Sequence, residues 1–486
     1  MARSTDQHSL LYEQVADDLA ASIDQGALRA GDRLPSVRRL AEQRDVSIAT
    51  VLQAYLELEN RGLIEVRPKS GHFVRSRQIL KLSAPRPPRA LGSPAKISVS
   101  TGAAAVIASM RDPNVVPLGA ATIAPELLPL GRLNRLLCGM LREVTTAGAT
   151  YDPAPGLSTL RRQLARRGAL AGLALREDEF VTTVGAMEAL HISLRAVAHA
   201  GETIAVESPM YFGVMQLLEE MGIKVVEIPS DPRTGMDLSA LSEALSKVKI
   251  SAVLAIPNIN NPLGSVMPDE AKEQLMWLLD RHDVPLIEDD VHGDLMFDGT
   301  RPRPVKAFDR DGRVLYCSSV SKTLAPGYRV GWVAPGRYQA IVERLKFTQS
   351  VASPTPMQMA VAEFLASGIY DRHLRKLRRN LEGQVERVRD AISRHFPSGT
   401  RVSAPRGGFV LWVEFPEGVE AFELQARAFE HGIAIAPGPI FSARNRFSNY
   451  IRLSCGFPWS ERIAAALVKL GELSSELPRK RTRKSA

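Results

Sequence analysis

The chain has 486 residues, 45% hydrophobic and 24% charged, which is enough for more than one domain with a sizeable core. No basic start leads into an apolar stretch, and no apolar run is long enough to span a bilayer, so a cytoplasmic protein with no membrane partner is expected. The net charge of +9 hints at an anionic partner. Part of that excess lies in the tail from Arg479 to Lys484, and the first eighty or so positions look balanced, so charge alone is a poor argument for DNA binding. Cys138, Cys317 and Cys455 are odd in number and far apart, which suits a reducing compartment and gives no cysteine metal site; no metal is expected.

From Leu11, apolar residues recur at Leu11, Val15, Leu19 and Ile23, one face of a helix ending near Gly26. Ser36 is a good N-cap for a short helix that turns Val37, Leu40 and Ala41 inward. After a turn at Asp45-Val46, Ser47 caps a third helix with Val51, Ala54, Tyr55 and Leu58 on its buried side. Leu63–Val66 and His72–Arg75 read as two strands joined by a Pro/Gly turn. Helix, helix-turn-helix, hairpin is the order of a winged helix-turn-helix, with the start of the third helix offered to base edges and phosphates. A three-helix protein-interaction module would have the same core, and periodicity does not separate the two.

The strings Leu34-Pro35-Ser36-Val37-Arg38-Arg39-Leu40-Ala41, Val46-Ser47-x-x-Thr50-Val51, Arg61-Gly62-Leu63-Ile64 and Ser70-Gly71-His72-Phe73-Val74 resemble a GntR-type DNA-binding domain. The resemblance implies DNA contacts at Arg38, Ser47, Thr50 and Gly71. Positions 48 and 49 depart from it, being Ile48 and Ala49 where many relatives carry a longer polar or basic residue.

Residues 1–76 are therefore assigned to the winged helix and 77–113 to a linker. The linker is Pro-rich and basic around Arg86 and Arg89 and reads as a semi-extended tether, a spacer with incidental reach to DNA phosphates. Residues 114–478 form a large module with a smaller subdomain at about 345–475, followed by the basic tail 479–486.

In the large module, strands are expected at 181–184, 203–206, 224–228, 252–256, 285–288, 314–316 and 330–333, with helical stretches between them. Continuous apolar runs separated by helices predict an α/β fold with a mostly parallel sheet covered on both faces, and ligands beyond the carboxyl ends of its strands. The candidate residues fall at those ends. Gly185-Ala186-Met187 opens a helix whose free amides suit a phosphate, although a plain helix cap reads the same. Tyr211 places a flat ring at a strand end, where a lone tyrosine is usually core or rim. Asn261, in an Asn-Pro turn, has an amide to donate to a phenolate oxygen. Glu288-Asp289-Asp290 is a run of acids that suggests a metal first, or one inward Asp holding a pyridine nitrogen protonated. Lys322 follows a buried strand in a Ser/Gly/Pro loop with Arg329 seven residues on. Burial and that cation would lower its pKa, and a neutral lysine amine is a nucleophile toward aldehydes.

In this order, Gly185, Tyr211, Asn261, Asp289, Lys322 and Arg329 resemble fold-type I pyridoxal-phosphate (PLP) enzymes, the aspartate aminotransferase superfamily. The resemblance implies PLP as cofactor, bound covalently by Lys322, with Asp289 on its ring nitrogen, Asn261 on its 3′ oxygen and Tyr211 stacked on its ring. Ser319, Ser321, Arg329 and the Ala186 and Met187 amides would bind its phosphate. Tyr151 would reach the neighbouring subunit's phosphate, which implies a homodimer, and Arg452 would grip a substrate α-carboxylate. His292 stands where many relatives have a tyrosine on the 3′ oxygen, and a histidine's charge ordinarily changes near neutral pH.

A GntR-type winged helix, a tether and an aminotransferase-like module together resemble the MocR subfamily of bacterial transcription regulators. The expectation is a regulator that binds double-stranded DNA and senses PLP or an amino compound; the alternative is an active aminotransferase with an accessory DNA-binding domain.

Overall fold

The structure is a computed structural model that describes residues 10–67, 70–75, 82–88, 93–109, 112–144 and 149–477. The wing tip at Lys69, Arg89 of the linker and the basic tail 479–486 lie outside the described residues. Among those described, no helix is long and apolar enough to cross a membrane.

The N-terminal module folds around its own apolar cluster, which includes Val15, Leu19, Leu34, Leu40, Val51, Tyr55, Leu58 and Ile64. Its helices are α1 (Leu11–Asp24), α2 (Val37–Arg44) and α3 (Ile48–Asn60), followed by the antiparallel strands β1 (Ile64–Arg67) and β2 (Gly71–Val74). Ser36 caps α2 by accepting from the Arg39 amide at 3.3 Å, and Ser47 caps α3 by accepting from the Thr50 amide at 3.1 Å. The buried Tyr55 hydroxyl donates to the Pro35 carbonyl at 2.6 Å, tying α3 to the entry of α2.

The described parts of the expected tether, 82–88 and 93–109, are docked. Arg86 pairs with the buried Glu414 at 2.6 Å. Val402 donates to the Ser83 carbonyl at 2.9 Å, and Ala95 pairs with Val225 beside the main sheet. A further helix, α4 (Ser100–Ser109), buries Ala103 and Val106 against Phe212, Ile440 and Phe441. Proline content marked a spacer; the docking depends on partners more than a hundred residues away, which composition does not carry.

Each strand expected in the large module is present. With the unexpected Gly235–Met236 they form an eight-stranded sheet in the order Val181–Thr183, Gly331–Ala334, Val314–Ser319, Leu286–Asp289, Ala252–Ala255, Thr203–Ser208, Lys224–Asp231, Gly235–Met236. The five strands from Val314–Ser319 to Lys224–Asp231 pair in parallel, whereas Gly331–Ala334 is antiparallel to both neighbours. A smaller antiparallel sheet holds Val410–Glu414 and Tyr450–Ser454 side by side.

The helix Ile369–His395 runs 27 residues without a proline. The winged helix is seated on its middle. Gly383 touches the Arg61 backbone so closely that an added Cβ would lie 2.4 Å from the Arg61 carbonyl carbon. Around it, Gln384 donates to the Asn60 carbonyl at 2.8 Å, Arg387 to the Ile64 carbonyl at 3.0 Å, and Arg379 pairs with Asp17 at 2.7 Å. Arg75 pairs with Asp390 at the far side of the seat.

Candidate functional site

Parallel pairing of Val314–Ser319 with Leu286–Asp289 sets Cys317 opposite Asp289, so both strands deliver their ends to one place. A cavity of about 210 Å³ opens there, and Tyr211, Asn261, Asp289, His292, Lys322 and Arg452 converge on it. Ala186, Met187, Ser319, Ser321 and Arg329 line one end of it.

The chain leaves Val314–Ser319 in a tight turn, with Thr323 and Leu324 donating to the Val320 carbonyl at 3.2 and 2.9 Å. The turn swings Lys322 inward, where its Nζ donates to the Ala121 carbonyl at 2.8 Å. Burial draws the Lys322 amine down to about 8, and the cations Arg452 and Arg329 push the same way while Asp289 opposes.

The acidic run splits three ways. Glu288 accepts from the Val305 and Lys306 amides at 2.7 and 2.9 Å. Asp290 is held by Arg301 at 2.5 Å and by the Tyr316 hydroxyl at 2.9 Å. Only Asp289 faces the cavity, with one weak bond from the Val291 amide at 3.2 Å. Burial pushes its carboxyl up to about 7, helped by the neighbouring Asp290 charge.

At the other end, Gly185 has φ +78°, and a Cβ there would sit 2.3 Å from an Arg329 guanidinium nitrogen. Only glycine lets Arg329 lie across this helix start, where it donates to the Val184 carbonyl at 3.1 Å. Ser319 and Ser321 stand beside it, the Ser321 amide donating to the Ser319 hydroxyl at 3.3 Å. An arginine, two hydroxyls and the free amides of a helix start make an anion cradle.

Arg452 is 1% exposed. Its guanidinium donates to the Asn261 side-chain oxygen at 3.1 Å and to the Gly119 carbonyl, and its Nε is buried without a partner. Burial lowers its pKa to about 10. Burial also raises the Tyr211 pKa, and a Cβ on the next-but-one Gly213 would fall 2.6 Å from the Tyr211 ring.

His292 corrects one expectation. Both of its ring nitrogens are buried with no hydrogen-bond partner, and burial, with Lys322 and Arg452 nearby, takes its pKa down to about 3. It therefore stays neutral at physiological pH and does not change charge there. Tyr151 is not brought to the cavity of its own chain; it is 80% exposed on the outer face, beside Thr150 and Asp152.

Sequence reasoning missed several wall residues: Val106 of α4, the 120–122 loop whose Ala121 carbonyl holds Lys322, and Phe212. Alanines and a lone valine carry no chemical signal. It also missed Tyr370 and His373. The Tyr370 hydroxyl donates to Asp294 at 2.8 Å and bonds the Thr323 hydroxyl at 2.9 Å; His373 Nε2 meets the Thr323 carbonyl at 2.6 Å. Both side chains come from the N-terminal turns of the helix that seats the winged helix.

In the winged helix, Arg38 is exposed and its guanidinium has no partner among the described residues. The Ser47 and Thr50 hydroxyls lie 2.8 Å apart at the start of α3. Gly71, with φ +106°, opens β2 next to the Arg33 guanidinium, which would be 3.5 Å from a Cβ.

A family model described as "Aminotransferase class I and II" matches residues 142–467, and one described as "Bacterial regulatory proteins, gntR family" matches residues 11–74. Two Escherichia coli K12 proteins are similar over nearly their whole length. The uncharacterized HTH-type transcriptional regulator YdcR is 38% identical, over 96% of this chain and 99% of the relative. The uncharacterized HTH-type transcriptional regulator YjiR is 40% identical, over 95% and 98%. Among solved structures, LysN, the α-aminoadipate aminotransferase of Thermus thermophilus in complex with N-(5′-phosphopyridoxyl)-L-leucine, superposes with a TM-score of 0.70 at 28% identity. That match covers 77% of this chain and 96% of LysN.

Proposed function

The chain belongs to the aminotransferase class I and II family and carries a gntR-family regulatory domain in front, and from that premise we propose a PLP-binding transcriptional regulator that senses PLP or an amino compound. The observation that carries the reading is the site itself. One amine, one inward carboxylate, an anion cradle and a buried arginine converge on a single cavity, in a chain whose DNA-binding module is seated on the same fold.

The residues present fit PLP on two counts. Buried nitrogens of His292 and Arg452, two residues that line the cavity, have no partner in the protein, which leaves them to a ligand there. The Gly185–Arg329 approach leaves a cradle that any side chain at 185 would fill. Lys322 would hold the cofactor, Asp289 its ring nitrogen, Asn261 and His292 its 3′ oxygen, and Tyr211 its ring face. The Ala186 and Met187 amides with Ser319, Ser321 and Arg329 would hold its phosphate, and Arg452 the carboxylate of an amino ligand. When bound, PLP supplies an aldehyde that captures primary amines and a ring that withdraws electrons. An amine with a pKa of about 8 at Lys322 gives up its proton close to neutral pH and is a competent nucleophile there. A cationic ring nitrogen beside Asp289 would restore its ionised form.

Two further elements complete the reading. Tyr151, exposed with Leu141 and Val144 nearby in sequence, would serve the site of a second copy, making a homodimer and paired half-sites on DNA. Regulation would pass through Ile369–His395, which braces Thr323 at one end and holds the winged helix about 16 Å further along, at a rise of about 1.5 Å per residue. Sensing requires that the ligand favour one placement of the winged helix over another.

The test is a pair of measurements. The absorbance of lysine-linked PLP should appear in the wild type and vanish in Lys322→Ala. DNA upstream of its own gene should be retarded to different degrees with and without PLP; no retardation in either state overturns the regulator. The retained Arg452 and Lys322 favour a second reading, an active aminotransferase, which turnover of amino acids with 2-oxo acids would reveal.

A further inference from the structure

The side of α3 turned to solvent carries Ile48, Ala49, Leu52, Gln53 and Leu56, while Val51, Ala54, Tyr55 and Leu58 fill the core. Ile48 is 51% exposed and Leu52 50%. Leaving aliphatic side chains half in water is unfavourable unless a ligand covers them. The hydroxyls at the helix start are committed, since Ser47 caps the Thr50 amide and the two side chains bond each other. No lysine, arginine or asparagine lies on this side in the first two turns. The exposed Arg38 and Arg39, whose guanidiniums have no partner among the described residues, belong to α2.

A recognition helix specifies bases from its N-terminal residues in the major groove. Guanine is read there by a forked cation, which this surface lacks. Thymine presents a C5 methyl to aliphatic side chains, and adenine presents N6 and N7 to a glutamine amide. Gln53 is exposed and without a partner among the described residues, so its amide is free for that pairing.

We infer that α3 reads A·T base pairs, with Ile48 and Leu52 packing on thymine methyl groups and Gln53 on adenine, while Arg38 and Arg39 hold the flanking phosphates. The inference rests on the DNA-binding reading above and adds the base class. It also accounts for Ile48 and Ala49 standing where a longer polar residue is usual: the helix has exchanged a polar reader for an apolar one.

The experiment uses the full-length protein to select duplexes from a random-sequence pool. The best site is then remade with deoxyuridine in place of each thymine, which removes only the methyl group. Loss of a methyl covered by Ile48 or Leu52 should weaken binding about fourfold, the value of one buried carbon. Ile48→Ala should lose the thymine–uracil difference at the base that Ile48 covers and keep it at the base that Leu52 covers, and Ile48→Arg should move selection toward guanine. Selected sites with G·C at the α3 contacts, or wild-type protein that binds thymine and uracil duplexes equally, would overturn the inference. Retention of no DNA at all would instead overturn DNA binding itself, and this inference with it, whereas DNA retained without enrichment would overturn this inference alone.

Discussion

In the winged helix, the groups proposed to meet DNA stand in solvent: Arg38, Ile48, Leu52 and Gln53 are exposed, and a separate apolar cluster lies behind them. In the α/β module the corresponding groups, Asp289, His292 and Arg452, are buried to within 4% of full burial. Desolvation therefore shifts the pKa of every one of them, Asp289 upward and the two bases downward. One site would recognise a ligand by what it displays; the other holds groups in states they would not adopt in water, at a cost that a bound cofactor would offset. Substitutions should therefore act abruptly in the second and gradually in the first.

The largest expected effect is Lys322→Ala, with complete loss of lysine-linked PLP absorbance; retained absorbance would erase the contrast at its strongest point. Next is Gly383→Leu. A side chain driven into the Arg61 backbone should unseat the winged helix at a cost on the order of 3 kcal/mol, the scale of severe overpacking. Urea denaturation should then show two transitions where the wild type shows a more cooperative one. A single unchanged transition would mean that the seat contributes nothing.

Third is the pH dependence of the cofactor-free protein. Asp289 has its pKa raised to about 7, so between about 4 and 7 the unfolded chain loses this proton while the fold keeps it. Stability should fall as pH rises across that window, by a few kcal/mol at most. His292, lowered to about 3, acts in the opposite sense between about 3 and 6.5, with stability rising with pH. Asp289→Asn should reduce the fall without abolishing it, because the buried Glu207 and Glu288, raised to about 7 and about 8, act in the same sense, as read from denaturation midpoints across pH. PLP should reverse the Asp289 trend in the wild type.

On the exposed side the effects are smaller. Ser47→Ala removes the α3 cap and should cost about 1 kcal/mol of winged-helix stability in thermal unfolding. Arg38→Ala should weaken DNA binding evenly across sequences and lower the salt slope by roughly one unit. A sequence-selective loss in Arg38→Ala would mean that α2 reads bases.

Local patterns along the chain determined a great deal. Ser36 and Ser47 announced helix starts because a cap bonds only three residues ahead. The strands around Ile204, Leu254, Ile287 and Leu315 announced themselves because a strand buried on both faces must be apolar throughout. The order Gly185, Tyr211, Asn261, Asp289, Lys322, Arg329 resembled that of PLP enzymes, and the last five of these residues line one cavity in the structure.

Tertiary structure decided the matters that depend on distant neighbours. It turned Asp289 into the cavity and Glu288 and Asp290 away, since alternation along a strand and the positions of Arg301 and Lys306 choose the direction. It held His292 neutral, because desolvation is a property of surroundings and not of residue type. It docked the proline-rich tether through Arg86 and Glu414, residues 328 positions apart. It also set the cofactor loop and the winged helix on a single helix, a relation that no local period records.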